Sequence, residues 1–400
     1  MLTTLTQRVV RMQEAATLRM ARRARELRAT GVDVVSLAVG EPDFDTPQHI
    51  KAAAGRALAD GHTKYTPVPG IAPLREAIAR KLSSENGLVA HADQVVVSTG
   101  AKQSLMNLCL ALLDQGDEAI FLAPYWVSYV EMVRFTGATA VPVLADIDHD
   151  YKVRPEHLEA AITPRTRLVL LNTPSNPTGA VYSADELRAL AEVLRPHEQI
   201  TVVSDEIYEY IVFGCEHVSI GALAGMADRV VTVNGFSKGF AMTGWRLGYL
   251  HAPDHIAKAV TRIQGQFTSG ANAFSQVAAI DALTGDRRPS AEMCAAYRRR
   301  RDQLLAALSE IDGLRCNKPD GAFYVFPNVE AFYGRRAGDR IIDGSEALCE
   351  YLLDTAHVAC VPGVAFGDDR SIRLSGAAAD EVLATGVARL AAGLNALQVN

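Results

Sequence analysis

The sequence predicts an α/β protein with a large domain, built on a mostly parallel central sheet flanked by helices, and a smaller α+β domain. Three observations carry this. Between about residues 90 and 255, short β-rich runs alternate with helix-like segments, the pattern of a parallel layer. Several of those runs are continuously apolar, as expected of strands covered by helices on both faces. The chain's 400 residues also exceed one typical hydrophobic core.

In chain order, "MLTTLTQRVVRMQEAATLRMARRARELRATG" is charged and helical in pattern, without the apolar core of a signal peptide. The predicted strands are "QVVVS" (94–98), "EAIFL" (118–122), "TAVPV" (139–143), "RLVLL" (167–171), "ITVVS" (200–204) and "VVTVN" (230–234). "SADELRALAEVLR" opens with Ser183 and Glu186 at capping-box spacing and continues with leucines at helical intervals. The polar "TGDRRPS" reads as a link near 285–290. Beyond it, a long helix-like segment leads to "GAFYVFP" (321–327), a helix around 345–356, "AHVACVPG" and "SIRLS". The expected division is an N-terminal segment (1–45) joined to the small domain, a large domain (46–288) and a small C-terminal domain (289–400).

Composition excludes several classes. Forty Lys+Arg against 46 Asp+Glu leave a net charge of −6, which argues against nucleic acid as a partner. The run Arg298–Arg301 in "AAYRRRRDQLL" reads as a solvated helix face. Cys109, Cys215, Cys294, Cys316, Cys349 and Cys360 show no metal-ligand spacing and read as thiols of a reducing, cytoplasmic compartment. No apolar run approaches the roughly 18 residues of a membrane helix.

Chemistry gathers where strands end. "TGAKQS", "NTPSNPTG", "DEIYEY" and "GFSKGF" each follow a predicted strand directly, and ligands of open α/β sheets sit beyond the strands' carboxyl ends. Small residues in "STGAKQS" make either an ordinary turn and cap or a phosphate cradle of free amides. Asn176 sits in a turn or donates to a ring oxygen. Asp205 caps a helix, joins an ion pair, or keeps a pyridine nitrogen protonated. Tyr208 shares a face with Asp205 if that stretch is helical. Trp126 fills a core or stacks on a flat ring. In "FSKGFAMTGWRLG", Lys238 has the small, apolar surroundings of an amine nucleophile, and Arg246 is a fixed cation suited to phosphate. Such a pair near glycines makes either a surface loop or the Schiff-base lysine and phosphate-binding cation of a pyridoxal phosphate (PLP) enzyme.

"SNPTG", "SDEIY" and "SKGFAMTGWRLG", in this order and spacing, resemble the class I/II PLP-dependent aminotransferases of fold type I. The similarity runs from "AVGEPDF" through "KYTPVPG" and "PYWVSY" to "SIRLS", and is nearest to the bacterial aspartate/prephenate branch. It implies that Lys238 links covalently to PLP and shuttles the substrate proton. Asp205 then pairs with the pyridine nitrogen, Tyr208 and Asn176 contact the ring hydroxyl oxygen, and Trp126 stacks. Arg246 and the amides of Ala101 and Lys102 hold the phosphate, with Ser237 beside them. Tyr65 reaches the phosphate of a neighbouring subunit, making the active unit a homodimer. Arg373 clamps the substrate α-carboxylate, with Gly40 and Asn176 assisting. Lys102 and Trp126 contact the substrate, Lys102 through the distal carboxylate of an acidic one. The implied reaction is ping-pong transamination between an L-amino acid, foremost aspartate, and 2-oxoglutarate.

Three positions depart from the family pattern. Ala15 stands where relatives have serine, with Glu14 adding negative charge. Gly376 replaces an aromatic residue and is expected to open space beside Arg373. Gly235 replaces a common serine near the phosphate. The alternatives are a prephenate, aromatic or broad-specificity aminotransferase, then a PLP-dependent β-lyase. A non-catalytic sensor lacks support, since neither end resembles a helix-turn-helix module.

Overall fold

The computed structural model describes residues 5–12 and 14–399. Residues 1–4 and 13, part of the charged N-terminal stretch, lie outside the described residues. Seven strands form the central sheet: β1 (Val95–Ser98), β2 (Glu118–Ala123), β3 (Thr139–Leu144), β4 (Thr166–Asn172), β5 (Thr201–Asp205), β6 (Val230–Gly235) and β7 (Gly248–His251). Their spatial order is β1-β7-β6-β5-β4-β2-β3. β7 runs antiparallel to both neighbours, and every other pairing is parallel. The six expected strands are present; β7 is an addition.

Alternation within the strands explains why both faces are covered. Leu168, Leu170, Val203, Val231 and Val233 pack with Leu105, Leu108, Val133 and Val260, from helices Ala101–Leu112, Ser128–Thr136 and Asp254–Phe267. The intervening Val169, Leu171, Val202 and Val230 pack on the opposite face with Leu187, Leu190 and Leu194 of helix Ala184–Leu194. That helix starts as its sequence dictates: the Ser183 amide donates to Glu186 Oε2 at 2.7 Å, and the Glu186 amide to Ser183 Oγ at 3.3 Å.

A second core joins distant parts of the chain. Met20, Ala24, Val35 and Leu37 pack with Leu304, Leu308, Phe326, Leu352, Leu390 and Leu394. Strand Val35–Ser36 lies parallel to Val358–Ala359, and Ile372–Ser375 pairs antiparallel with Val361–Pro362 and Tyr324–Val325. Only residues 285–287 separate helix Ala273–Thr284 from helix Arg288–Ser309.

Half of the arginine run departs from expectation: Arg298 and Arg299 are exposed, but the next two are not. Arg300 and Arg301 are 7% and 6% exposed, not solvated. Arg300 bonds Asp43 and Asp380, each at 2.8 Å, with its guanidinium over Phe44 and Tyr297. Arg301 donates to the Pro319 carbonyl at 2.6 Å and lies over Phe213. Successive helical residues turn by about 100°, so four in a row sweep most of the circumference and some must face inward. Among the described residues, no helix is long and apolar enough to cross a membrane.

Candidate active site

The chain passes from β2 outward to β3 and then crosses back to β4, on the other side of β2. This order places a crevice between the carboxyl ends of β2 and β4. A cavity of about 450 Å³ opens along this rim, lined from the carboxyl ends of β1, β2, β4, β5 and β6. It collects Gly40, Ala101, Lys102, Trp126, Asn176, Asp205, Tyr208, Ser237, Lys238, Arg246 and Arg373, eleven of the twelve residues singled out from sequence. Tyr65 is the exception: it is 96% exposed on the surface.

Lys238 follows β6 and is half-buried, its Nζ donating to the Gly40 carbonyl. Burial, with Arg373 nearby, lowers its pKa to about 8. Asp205 closes β5 and is buried. Tyr129 Oη donates to its Oδ2 at 2.7 Å, and the Ile207 amide to its Oδ1 at 3.3 Å. Burial pushes this carboxyl up to about 6. The stretch after Asp205 is a turn rather than a helix, so no helix face joins Tyr208 to Asp205. Tyr208 is buried against Tyr297, Phe323 and Tyr324, its hydroxyl 2.9 Å from that of Tyr324.

Opposite stands Arg373 on strand Ile372–Ser375. It is almost fully buried, donates to the Ala38 carbonyl at 2.6 Å and Asn176 Oδ1 at 3.1 Å, and lies over the rings of Tyr324 and Phe366. No carboxylate pairs with it among the described residues, and its buried Nε has no partner. Burial lowers its pKa. Removing an arginine from water without an acid is costly, so the site is built to receive an anion. Asn176 is fixed in turn, its amide donating to Asn172 Oδ1 at 2.7 Å, while Asn172 Nδ2 bonds the Asp205 carbonyl at 2.9 Å.

A second anion cradle lies at the start of helix Ala101–Leu112. Gly100 precedes it with φ +80°, and a Cβ there would meet Arg246 Nη2 at 2.6 Å. A Cβ on Gly248 would overlap the Ala101 amide nitrogen. Arg246 itself has φ 52°, the left-handed region that a non-glycine residue enters at a cost. Free amides of a helix start beside a guanidinium are a phosphate-binding arrangement. Gly235 has a steric explanation: a Cβ would stand 2.9 Å from Gly248 Cα. Lys102 projects from the same helix, its ammonium 5.0 Å from the centre of the Trp126 ring; burial, with Arg246 nearby, lowers its pKa.

Two departures do not line the cavity. Gly376 lines a separate void of about 10 Å³ behind Tyr324, so it opens no space on the substrate side of Arg373. Ala15 merely precedes helix Ala16–Ala29, and Glu14 pairs with Arg22 at 3.0 Å. Thr17, Leu18 and Ala21 line the cavity from that helix instead, as do Glu41 and Thr243, which bond each other, and Tyr129. None of these was singled out from sequence. Of these, only Ala21 lies outside the family motifs: Thr17 and Leu18 stand in "EAATL", Glu41 in "AVGEPDF", Tyr129 in "PYWVSY" and Thr243 in "SKGFAMTGWRLG".

Residues 32–390 match the family described as aminotransferase class I and II. The chain is 46% identical over 387 residues to an aspartate/prephenate aminotransferase of Cereibacter sphaeroides, covering 96% of this chain and 97% of that one. It is 47% identical over 391 residues to a bifunctional aspartate aminotransferase and glutamate/aspartate-prephenate aminotransferase of Petunia hybrida, covering 96% and 82%. The solved aspartate aminotransferase of Rhizobium meliloti superposes with a TM-score of 0.96 at 41% identity, over 99% of this chain and 100% of that one. That of Thermus thermophilus with maleate gives 0.92 at 43%, over 98% and 100%. With that fold, the strand-end cavity and nearly full-length similarity, the chain belongs to the class I and II aminotransferases.

Proposed function

We propose that the protein transfers the amino group of L-aspartate to 2-oxoglutarate by a ping-pong route, using PLP. The observation that carries this is the pair of separated anion sites around one amine. Arg373, from strand Ile372–Ser375, and Arg246 beside the Gly100–Lys102 helix start line the same cavity as Lys238. The residues fit PLP. The cradle that a Cβ would fill suits its phosphate, Asp205 suits its ring nitrogen, and Tyr208 and Asn176 suit its ring hydroxyl. Trp126 offers a flat face for stacking. When bound, PLP supplies an electron sink for the carbanion left by α-proton removal.

The chain's own residues do the rest. Arg373, with Asn176 and Gly40, orients the α-carboxylate. Lys238 Nζ, with a pKa lowered toward neutrality, takes the α-proton. Lys102 binds the distal carboxylate. Maleate in the Thermus thermophilus structure is likewise a dicarboxylate, which supports an acidic substrate. Prephenate is the second reading: it too is a dicarboxylate and fits the same two cations, and relatives bear both names.

A homodimer is part of the proposal. Tyr65 and Phe267 are exposed aromatics on adjoining segments, held together where Gln264 Nε2 donates to the Val68 carbonyl at 2.8 Å. A second copy would cover them and bring Tyr65 to its cradle. The six free thiols support a cytoplasmic setting.

The test is an absorbance scan of purified protein before and after aspartate, with kcat/KM for aspartate, glutamate, phenylalanine and alanine. Aspartate should bleach the cofactor band and rank first or second. Aspartate as the poorest substrate overturns the assignment, as does release of pyruvate and ammonia without an acceptor.

A further inference from the structure

Asp205 has a dedicated partner. Tyr129, in the first turn of helix Ser128–Thr136, is 1% exposed and lines the cavity. Its Oη donates to Asp205 Oδ2 at 2.7 Å. Its ring stacks on Phe121 at 22° and meets Trp126 edge-on, with centroids 5.4 Å apart. One side chain therefore braces both the acid and the indole.

A phenol in this setting acts in one direction. Burial beside Asp205 holds its own pKa well above the ordinary value, so it donates throughout the working range. A donor to a carboxylate favours the ionised form. Burial and nearby Glu206 push the Asp205 carboxyl toward protonation, while Tyr129, the Ile207 amide and Lys238 oppose them. With Oδ2 engaged, Oδ1 holds only the long Ile207 contact and keeps a lone pair for a ligand N–H.

We propose that Tyr129 is a positioning residue that keeps Asp205 an oriented carboxylate for a protonated ring nitrogen, and so sets how tightly the cofactor is held. This rests on the PLP reading of the cavity. Hydrogen bonds to charged groups are strong enough for their loss to weaken binding about tenfold to a hundredfold.

The test titrates PLP into resolved wild-type protein, Tyr129→Phe, Asp205→Asn and the double variant from pH 5 to 8, following tryptophan fluorescence. Tyr129→Phe should weaken PLP binding about tenfold or more and move the acid limb of binding to higher pH. In the Asp205→Asn background the same change should matter less than about threefold. Unchanged affinity and acid limb overturn the proposal. So does an equal loss in the Asp205→Asn background, because the phenol would then act apart from Asp205. A cofactor-free readout separates the two claims. In 13C-aspartate-labelled protein, the carboxyl signal missing from Asp205→Asn should titrate at higher pH in Tyr129→Phe. That shift without PLP uptake by the wild type leaves the pairing standing and removes the cofactor reading. No shift removes the pairing.

Discussion

Replacing Lys102 by alanine tests substrate recognition at one atom. The ammonium rests over the Trp126 ring, partly desolvated there although the residue as a whole is exposed, while a Cβ on Gly100, two residues earlier, would meet Arg246. An ion pair at about 4 Å is worth roughly 4 kcal/mol at an effective dielectric of about 20. Solvent at a partly exposed head roughly halves this, and leaving the ring face costs about 0.5 kcal/mol. The net is about 1.5–2 kcal/mol, or roughly a ten- to thirtyfold fall in kcat/KM for aspartate. Phenylalanine, with no distal carboxylate, should change less than about threefold. Steady-state kinetics on both substrates, with saturating PLP, is the assay. Equal losses would assign Lys102 to the phosphate corner, and an unchanged aspartate value would remove it from recognition.

Two further expectations concern stability. Lys238 has a folded pKa of about 8 against an ordinary 10.5, so the unfolded chain binds the proton more tightly and apoprotein stability should rise with pH across that window. Lys238→Met should therefore stabilise the apoprotein at pH 7, by at most about 3 kcal/mol, while abolishing transamination; urea melts showing a less stable variant contradict this. Lys81 is buried, bonding Glu209 and Asn86 beside Glu206 and His217. Lys81→Met should cost about 3–5 kcal/mol by stranding a buried carboxylate, and Lys81→Met/Glu209→Met should recover most of it. A double variant as unstable as the single one refutes the pairing.

How far the sequence could be read depends on whether a feature is local. The six strands stood out because each is a compact apolar run, and the capping box at Ser183 because both partners lie within four residues. β7, "GYLH", directly behind the Arg246 loop, has a glycine and a histidine at its ends, so no continuous apolar run separates it from the motif it follows. Arg300 and Arg301 were misjudged because charge suggested solvent, whereas their partners Asp43, Asp380 and Pro319 come from other segments. Tyr129 stands three residues after Trp126, yet its bond to Asp205 spans 76 positions. Thr17 and Leu18 stand in "EAATL", but their place on the cavity wall follows from how the N-terminal helix packs. Gly376 shows the reverse case: it adjoins the Arg373 strand in sequence, but the backbone turns it behind Tyr324.

The proposed function requires a B6 aldehyde tethered to Lys238. Borohydride reduction of the purified holoprotein, followed by peptide mapping, tests it most directly. A phosphopyridoxyl group should be fixed to the peptide spanning Phe236–Arg246, and none on the Lys238→Ala variant. Label on another lysine, or protein that takes up no PLP at all, would contradict it.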